Sequence, residues 1–103
     1  IMESKLYARI SKISALNEVQ LGMFIENFKH NGAKAALKAG AVQLTITKVE
    51  KEKAYLHSVF PDEKIATNFF KTIQGNLKQV KEFIKIEISE GEVVFNQNSL
   101  SQD

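Results

Sequence analysis

The stretch KLYARIS (residues 5–11) decides the fold together with three others, AVQLTIT (41–47), AYLHSVF (54–60) and FIKIEIS (83–89). Each alternates apolar and polar side chains, which predicts a β-strand because successive side chains on a strand point to opposite faces. The polar phase of the four strands is rich in functional groups: Tyr7, Arg9 and Ser11, then Gln43, Thr45 and Thr47, then Tyr55 and His57, then Lys85, Glu87 and Ser89. We expect these side chains to share one polar sheet surface that carries the function, with the apolar phase packed under the helices.

Two helices are expected between the strands. In the first, Asn17 is suited to cap the N-terminus, and apolar side chains recur at helical spacing from Leu21 to Phe28. The motif HNG (30–32) predicts a break, followed by a short alanine-rich helical turn over 33–39. The second helix begins after Pro61 and buries Ile65, Ala66, Phe69, Phe70 and Ile73, and Gly75 and Asn76 are predicted to end it.

The resulting order is β-α-β-β-α-β, the ferredoxin-like arrangement, in an α+β domain. It predicts a four-stranded antiparallel sheet of order 4-1-3-2 with two main helices on one face. The charged segment KVEKEK (48–53) is too short for another element and is expected to form a hairpin. Glu90 and Gly91 are expected to bend the end of the fourth strand, and the segment EVVF (92–95) is a candidate for a short fifth strand. Residues 5–95 are predicted to form the domain, and residues 96–103 a polar tail.

Composition excludes several classes of function. The chain has 103 residues and no cysteine, which removes disulfides, thiolate metal sites and thiol nucleophiles and fits the reducing cytoplasm. No apolar run is long enough to span a membrane, and no secretory signal is visible. Fourteen basic and twelve acidic residues are nearly balanced, which does not favour nucleic-acid binding by charge. No metal or cofactor is expected, and the strand serines have no nucleophile signature.

The predicted strand order places strand 1 between strands 3 and 4. Arg9, the only arginine, would then approach His57 and Glu87 near the middle of the sheet. One interpretation is an Arg9–Glu87 ion pair with His57 as a hydrogen-bonding neighbour. The other makes His57 a catalytic acid or base, tuned by Glu87, with Arg9 holding an anionic substrate. Tyr7, Tyr55, Gln43 and Thr45 are the candidate ligand-binding residues.

A monomer would expose apolar side chains on this polar surface, among them Tyr7, Ile13, Val49, Tyr55 and Val59. A second copy packed face to face would cover them. The sequence therefore predicts a homodimer that forms through its sheets.

The strand LYARIS (6–11), the element order and the segment SVFPDEKIATNFF (58–70) resemble the dimeric α+β barrel superfamily, in particular its antibiotic-biosynthesis monooxygenase-like domains. The resemblance covers roughly residues 5 to 95. It implies a homodimer with small-molecule pockets between sheet and helices, and cofactor-independent oxygenation of aromatic or quinol substrates in some members. The haem-degrading branch combines Asn, Trp and His, whereas this chain has no tryptophan, so no haem chemistry is expected.

Three functions remain open at this point. The first is a small-molecule-binding or oxygenating homodimer, and the second is a non-catalytic structural or regulatory homodimer. The third is RNA binding, because RNA-recognition motifs share this element order and stack bases on aromatic side chains of the sheet, where Tyr7 and Tyr55 are expected. The segment KAYLHSVF (53–60) matches the RNP1 pattern at only a few positions.

Overall fold

The computed structural model describes residues 5–80 and 82–97. In chain order they form β1 (Tyr7–Ala15), α1 (Glu18–Asn27), a π-helical segment (Phe28–Gly32), α2 (Ala33–Ala39), β2 (Gln43–Glu50), β3 (Lys53–Phe60), α3 (Glu63–Val80) and β4 (Ile84–Glu92). The strands form one antiparallel sheet in the order β2-β3-β1-β4. This is the predicted ferredoxin-like α+β topology, and β2 and β3 form the predicted charged hairpin.

The predicted helix starts are confirmed by their capping bonds. The Asn17 side-chain oxygen accepts a hydrogen bond from the Gln20 backbone N–H at 2.9 Å. Asp62 caps α3 in the same way by accepting from the Ile65 N–H at 2.8 Å. Each cap satisfies a backbone donor that has no partner within the helix, and such caps contribute about 1 kcal/mol.

The helix ends predicted at HNG (30–32) and at Gly75 are wrong, whereas the predicted helical turn over 33–39 is confirmed. The backbone stays helical through HNG by way of the π-helical segment, and Gly40, with φ of 120°, ends α2. Likewise, α3 continues past Gly75 to Val80. A glycine inside a helix costs only about 1 kcal/mol relative to alanine, which packing of an apolar face readily offsets.

β4 also differs from expectation at its end. It runs straight through Gly91 to Glu92, and the Val93 N–H donates to the Leu6 carbonyl at 2.8 Å. Within residues 82–97, the candidate fifth strand over 92–95 does not form. Of the predicted polar tail (96–103), residues 98–103 lie outside the described residues.

The predicted facing of side chains is confirmed for β2, β3 and β4 but is inverted for β1. Ile13 is fully buried in a core cluster with Leu21, Ala54 and Ile84, so its side of β1 packs under the helices. Because residues two apart share a face, Tyr7, Arg9 and Ser11 lie on that side as well. Burying Ile13 stabilises the fold by about 1.5–3 kcal/mol, and this decides which side of β1 packs under the helices despite the polar residues before it.

The sheet therefore has a helix face and an outer face. The helix face holds a second core cluster around Phe60 and Phe70, whose rings meet edge to face with centroids 5.4 Å apart. The outer face carries the other phase of the strands: Gln43, Thr45 and Thr47, then Tyr55, His57 and Val59, then Ala8, Ile10 and Lys12, then Lys85, Glu87 and Ser89. No described element packs across the middle of this face.

Some of the apolar side chains that were expected to be exposed are buried in the structure. Ile13 and Val59 are buried and Tyr7 is half-buried, whereas Val49 and Tyr55 are exposed as expected, by 49% and 38%. Ile10, which was expected under the helices, is 44% exposed. In the middle of the outer face, exposed apolar surface thus centres on Ile10 and Tyr55. In the described part of the chain, no helix is both long and apolar enough to cross a membrane.

Candidate functional site: a cavity between sheet and helices

A cavity of about 450 Å³ separates the helix face of the sheet from the helices. The sheet lines it with Arg9, Ser11, Ile13, Leu56, Ser58, Ile86 and Ile88. Small-molecule sites in proteins typically measure about 300–1,000 Å³ and combine an apolar lining with a few polar groups. The volume of this cavity lies within that range, and its lining is of the same kind.

Four phenylalanines dominate the helical side of the cavity. Phe24 lies on α1 and Phe28 on the π-helical segment that follows it, whereas Phe69 and Phe70 lie on α3. From α1 through the π-helical segment to α2, the cavity-lining residues recur every three to four positions and so form one stripe. Besides the two phenylalanines, it contains Asn27, Asn31, Gly32, Ala35 and Ala36. Asn31 donates a side-chain hydrogen bond to Asn27 at 2.8 Å, so the two amides are paired on the stripe.

Arg9 is the only ionisable side chain among the described cavity-lining residues. Its side chain is 16% exposed, and its guanidinium carbon lies 3.2 Å from the centroid of the Phe70 ring. Nη2 donates to Glu90 Oε2 at 3.1 Å, whereas the buried Nε has no hydrogen-bond partner among the described residues. The cation is therefore fixed by a ring face and one carboxylate oxygen, with one buried donor left unused.

Glu90 joins Arg9 to Tyr7. Its second oxygen, Oε1, accepts a hydrogen bond from the Tyr7 hydroxyl at 2.8 Å. This bond raises the pKa of Tyr7 above its ordinary value, and desolvation and the Glu90 charge act in the same direction. Because one carboxylate oxygen of Glu90 binds Tyr7, only the other oxygen contacts the guanidinium of Arg9.

The structure does not bring together the predicted trio. Arg9 lies on the helix face and pairs with Glu90, so the predicted Arg9–Glu87 ion pair is wrong. Glu87 lies opposite Lys12 on the outer face, and His57 lies there between Ile10 and Thr45. The inverted facing of β1 is the physical reason, since it moves Arg9 to the other side of the sheet.

The other candidate ligand-binding residues divide in the same way. Tyr7 is on the helix face, where its hydroxyl donates to Glu90, but it is not among the residues that line the cavity. Tyr55, Gln43 and Thr45 lie on the outer face. The roles assigned to the outer-face residues remain predictions that concern a surface away from the cavity. The tyrosines are on opposite faces, so they do not form the shared stacking surface that the RNA-binding hypothesis needs.

Three residues of the site were not among the candidate site residues chosen from the sequence. Ser58 lies directly opposite Arg9, Ser11 is two residues along β1, and both serines are buried. Glu90 shares the phase of Ile86 and Ile88, but its neighbour Gly91 suggested a bend. Extending the alternation of β4 to residue 92 would have placed Glu90 on the helix face, where the inverted facing of β1 also puts Arg9.

Comparisons with known proteins support the fold. No protein-family model matches the sequence, and no curated protein matches it. A dimeric ferredoxin-like protein from an uncultured marine organism has a similar structure, with a TM-score of 0.76 and 12% identity over 90% of this chain and 99% of that one. HapK from Hahella chejuensis has a TM-score of 0.71 and 13% identity over 90% and 97% of the two chains.

SnoaB, a cofactor-independent oxygenase from Streptomyces nogalater, is also similar. Its TM-score is 0.69, and the identity is 11% over 95% of this chain and 99% of that chain. These similar structures include dimeric ferredoxin-like and oxygenase proteins, in agreement with the resemblance noted from the sequence. At such identities the likeness shows the fold, and the chain is a ferredoxin-like α+β protein.

Proposed function

We propose that this protein binds a small aromatic molecule in the cavity between its sheet and its helices. The lining of the cavity carries this proposal, because four phenylalanines surround a space large enough for a two-ring or three-ring compound. Aromatic faces and edges attract a bound ring beyond the effect of area alone, by about 0.5–1.5 kcal/mol per well-placed pair.

A fluorescent probe tests the proposal directly. N-phenyl-1-naphthylamine is neutral and brightens in apolar surroundings, so we expect saturable emission with one probe per chain. Ala35 is exposed on α2 yet lines the cavity, so Ala35→Trp should fill the space with little effect on the core. Lys38→Ala, on the same helix but outside the lining, is the matched control. Binding that survives Ala35→Trp unchanged would contradict a cavity site.

We propose further that two copies associate through their outer faces. Ile10 and Tyr55 are exposed apolar side chains on a face that no described element covers in the middle. The dimeric description of similar structures supports this arrangement. A dimer would bury His57, Thr45 and Gln43 between subunits, and the absence of cysteine favours action in the cytoplasm.

Oxidation of the bound molecule without a cofactor is the second candidate function. It is favoured by a largely apolar cavity with one cation, Arg9, able to stabilise an enolate or phenolate as it forms. The likeness to a cofactor-independent oxygenase supports it. In such a reaction an anthrone and O₂ give an anthraquinone and water, and the substrate itself supplies the electrons.

Oxygen uptake with anthrone as the substrate tests which face of the sheet carries the reaction. If the cavity performs the reaction, Arg9→Gln should lower the rate while His57→Ala leaves it unchanged. If His57 acts as the base that the sequence predicts, the loss should follow His57→Ala, and the reacting site would lie on the outer face. No uptake above the uncatalysed rate would leave binding as the function.

A further inference from the structure

The hydrogen-bonding groups of Arg9 are not fully used. A guanidinium carries five N–H donors in a rigid planar fork. Glu90 takes one from Nη2 through a single oxygen, while the Nε donor is buried without a partner among the described residues. An unsatisfied buried donor is costly and rare in folded proteins, so the described residues leave this guanidinium short of acceptors.

The charge in the cavity is also unbalanced. Among the lining residues that the structure describes, Arg9 is the only charged group and none is acidic. Its partner Glu90 is 35% exposed and also accepts from Tyr7. An anion entering the cavity would therefore meet one positive group, held rigidly against Phe70, and no negative group in the lining.

Two serines lie close to Arg9 in the sheet. Ser58 is the register partner of Arg9 across β1 and β3, and Ser11 follows two residues later on the same face. Both serines are buried and line the cavity. A planar cation in a cavity lining that also contains hydroxyl groups suits a carboxylate, which accepts several hydrogen bonds in one plane.

We propose that the ligand is an aromatic carboxylate whose acid group binds the guanidinium of Arg9, with its ring among the phenylalanines. This inference rests on the proposed function and adds the chemical class of the ligand. Arg9 then selects the ligand by charge, and the apolar lining selects it by shape. A neutral compound of equal size fills the same space but gives the guanidinium no anionic partner in the cavity.

Competition in the wild-type protein tests the inference without any substitution. 1-Naphthoate and methyl 1-naphthoate have the same ring system and differ in charge, and each is titrated against bound N-phenyl-1-naphthylamine. We expect the acid to displace the probe at concentrations at least tenfold lower than the ester, since a charge-assisted bond and its desolvated donor distinguish them.

Substitution of Arg9 supplies the second measurement. Arg9→Gln should abolish the advantage of the acid while changing displacement by the ester less than twofold. Lys85→Gln removes one positive charge from the outer face and is the control for a change in net charge.

The outcomes separate the two proposals. If the probe does not bind to the wild-type protein, the proposed function fails. If the probe binds but acid and ester displace it equally, the cavity is a neutral aromatic site and the carboxylate inference is overturned, whatever the folding of the Arg9 variant. An advantage of the acid that persists in Arg9→Gln also overturns the assignment to Arg9.

Discussion

The guanidinium of Arg9 lies over the ring of Phe70, with its carbon 3.2 Å from the ring centroid. This contact joins β1 to α3 and holds the only arginine of the chain in the wall of the cavity. A cation over an aromatic face is attracted by the ring quadrupole, and the attraction grows when both groups are withdrawn from water. The pair therefore contributes both to the fold and to the proposed site.

A double-mutant cycle should measure this contact. We expect Arg9→Met and Phe70→Leu each to lower the free energy of unfolding, with a coupling of about 0.5–2 kcal/mol between them. Urea unfolding of the wild type, the two single variants and the double variant gives this value. Strictly additive effects would mean that the contact contributes nothing to stability.

Gly32 should control the position of Phe28 in the cavity. A Cβ atom at residue 32 would lie 2.6 Å from Phe28 Cδ1, so Gly32→Ala must displace the ring. We expect weaker binding of the neutral probe and little or no gain in stability. Gly22→Ala is the matched control, because no atom lies within 4 Å of the position that a Cβ would take there, and it should stabilise α1 by about 0.5–1 kcal/mol. Equal effects of the two substitutions on binding and stability would contradict this role.

The bond from Tyr7 to Glu90 should be visible in a tyrosine titration. In a Tyr55→Phe background Tyr7 is the only tyrosine, and the chain has no tryptophan. Absorbance at 295 nm then follows its ionisation, and Glu90→Gln should lower the midpoint by removing the carboxylate that raises the pKa of Tyr7. Glu92→Gln, the register partner of Tyr7 on β4, is the control and should leave the midpoint near that of the parent.

The same bond makes a pH-dependent contribution to stability. Because the pKa of Tyr7 is raised in the folded state, the contribution is fully present below the ordinary tyrosine pKa of about 10 and is lost as the pH rises through the folded value. Urea unfolding at pH 8 and at pH 11 should therefore show a larger alkaline loss in the parent than in Tyr7→Phe. Identical losses would show that the bond does not contribute.

Association through the outer face should depend on Ile10. This side chain is 44% exposed, and its register partners are His57 and Ser89. Ile10→Asp places a charge in the centre of the proposed interface, so we expect the dimer dissociation constant to rise at least tenfold in sedimentation equilibrium. Leu16→Asp is the control, since Leu16 is 72% exposed just beyond the end of β1. A monomeric wild type would remove the proposal.

Local patterns in the sequence were sufficient for the topology. The alternation of β2, β3 and β4 and the caps at Asn17 and Asp62 are signals carried by neighbouring residues, and the structure confirms them. The errors at Gly32 and Gly75 arose where long-range packing keeps a helix intact across a glycine. A residue's helix propensity is small beside the burial of a whole apolar face.

Arg9 shows where the sequence stops being sufficient. Its chemistry and its place in β1 were evident from the sequence, but which face it occupies was not, because polar and apolar residues exchange phase along β1. Burial of Ile13 under α1 settles the face, and the register with β3 and β4 then gives Arg9 the neighbours Ser58 and Glu90. The sequence by itself determined the strands, their order and the one planar cation. Only the tertiary structure decided that this cation lines a cavity, since that depends on which side of the sheet the helices cover.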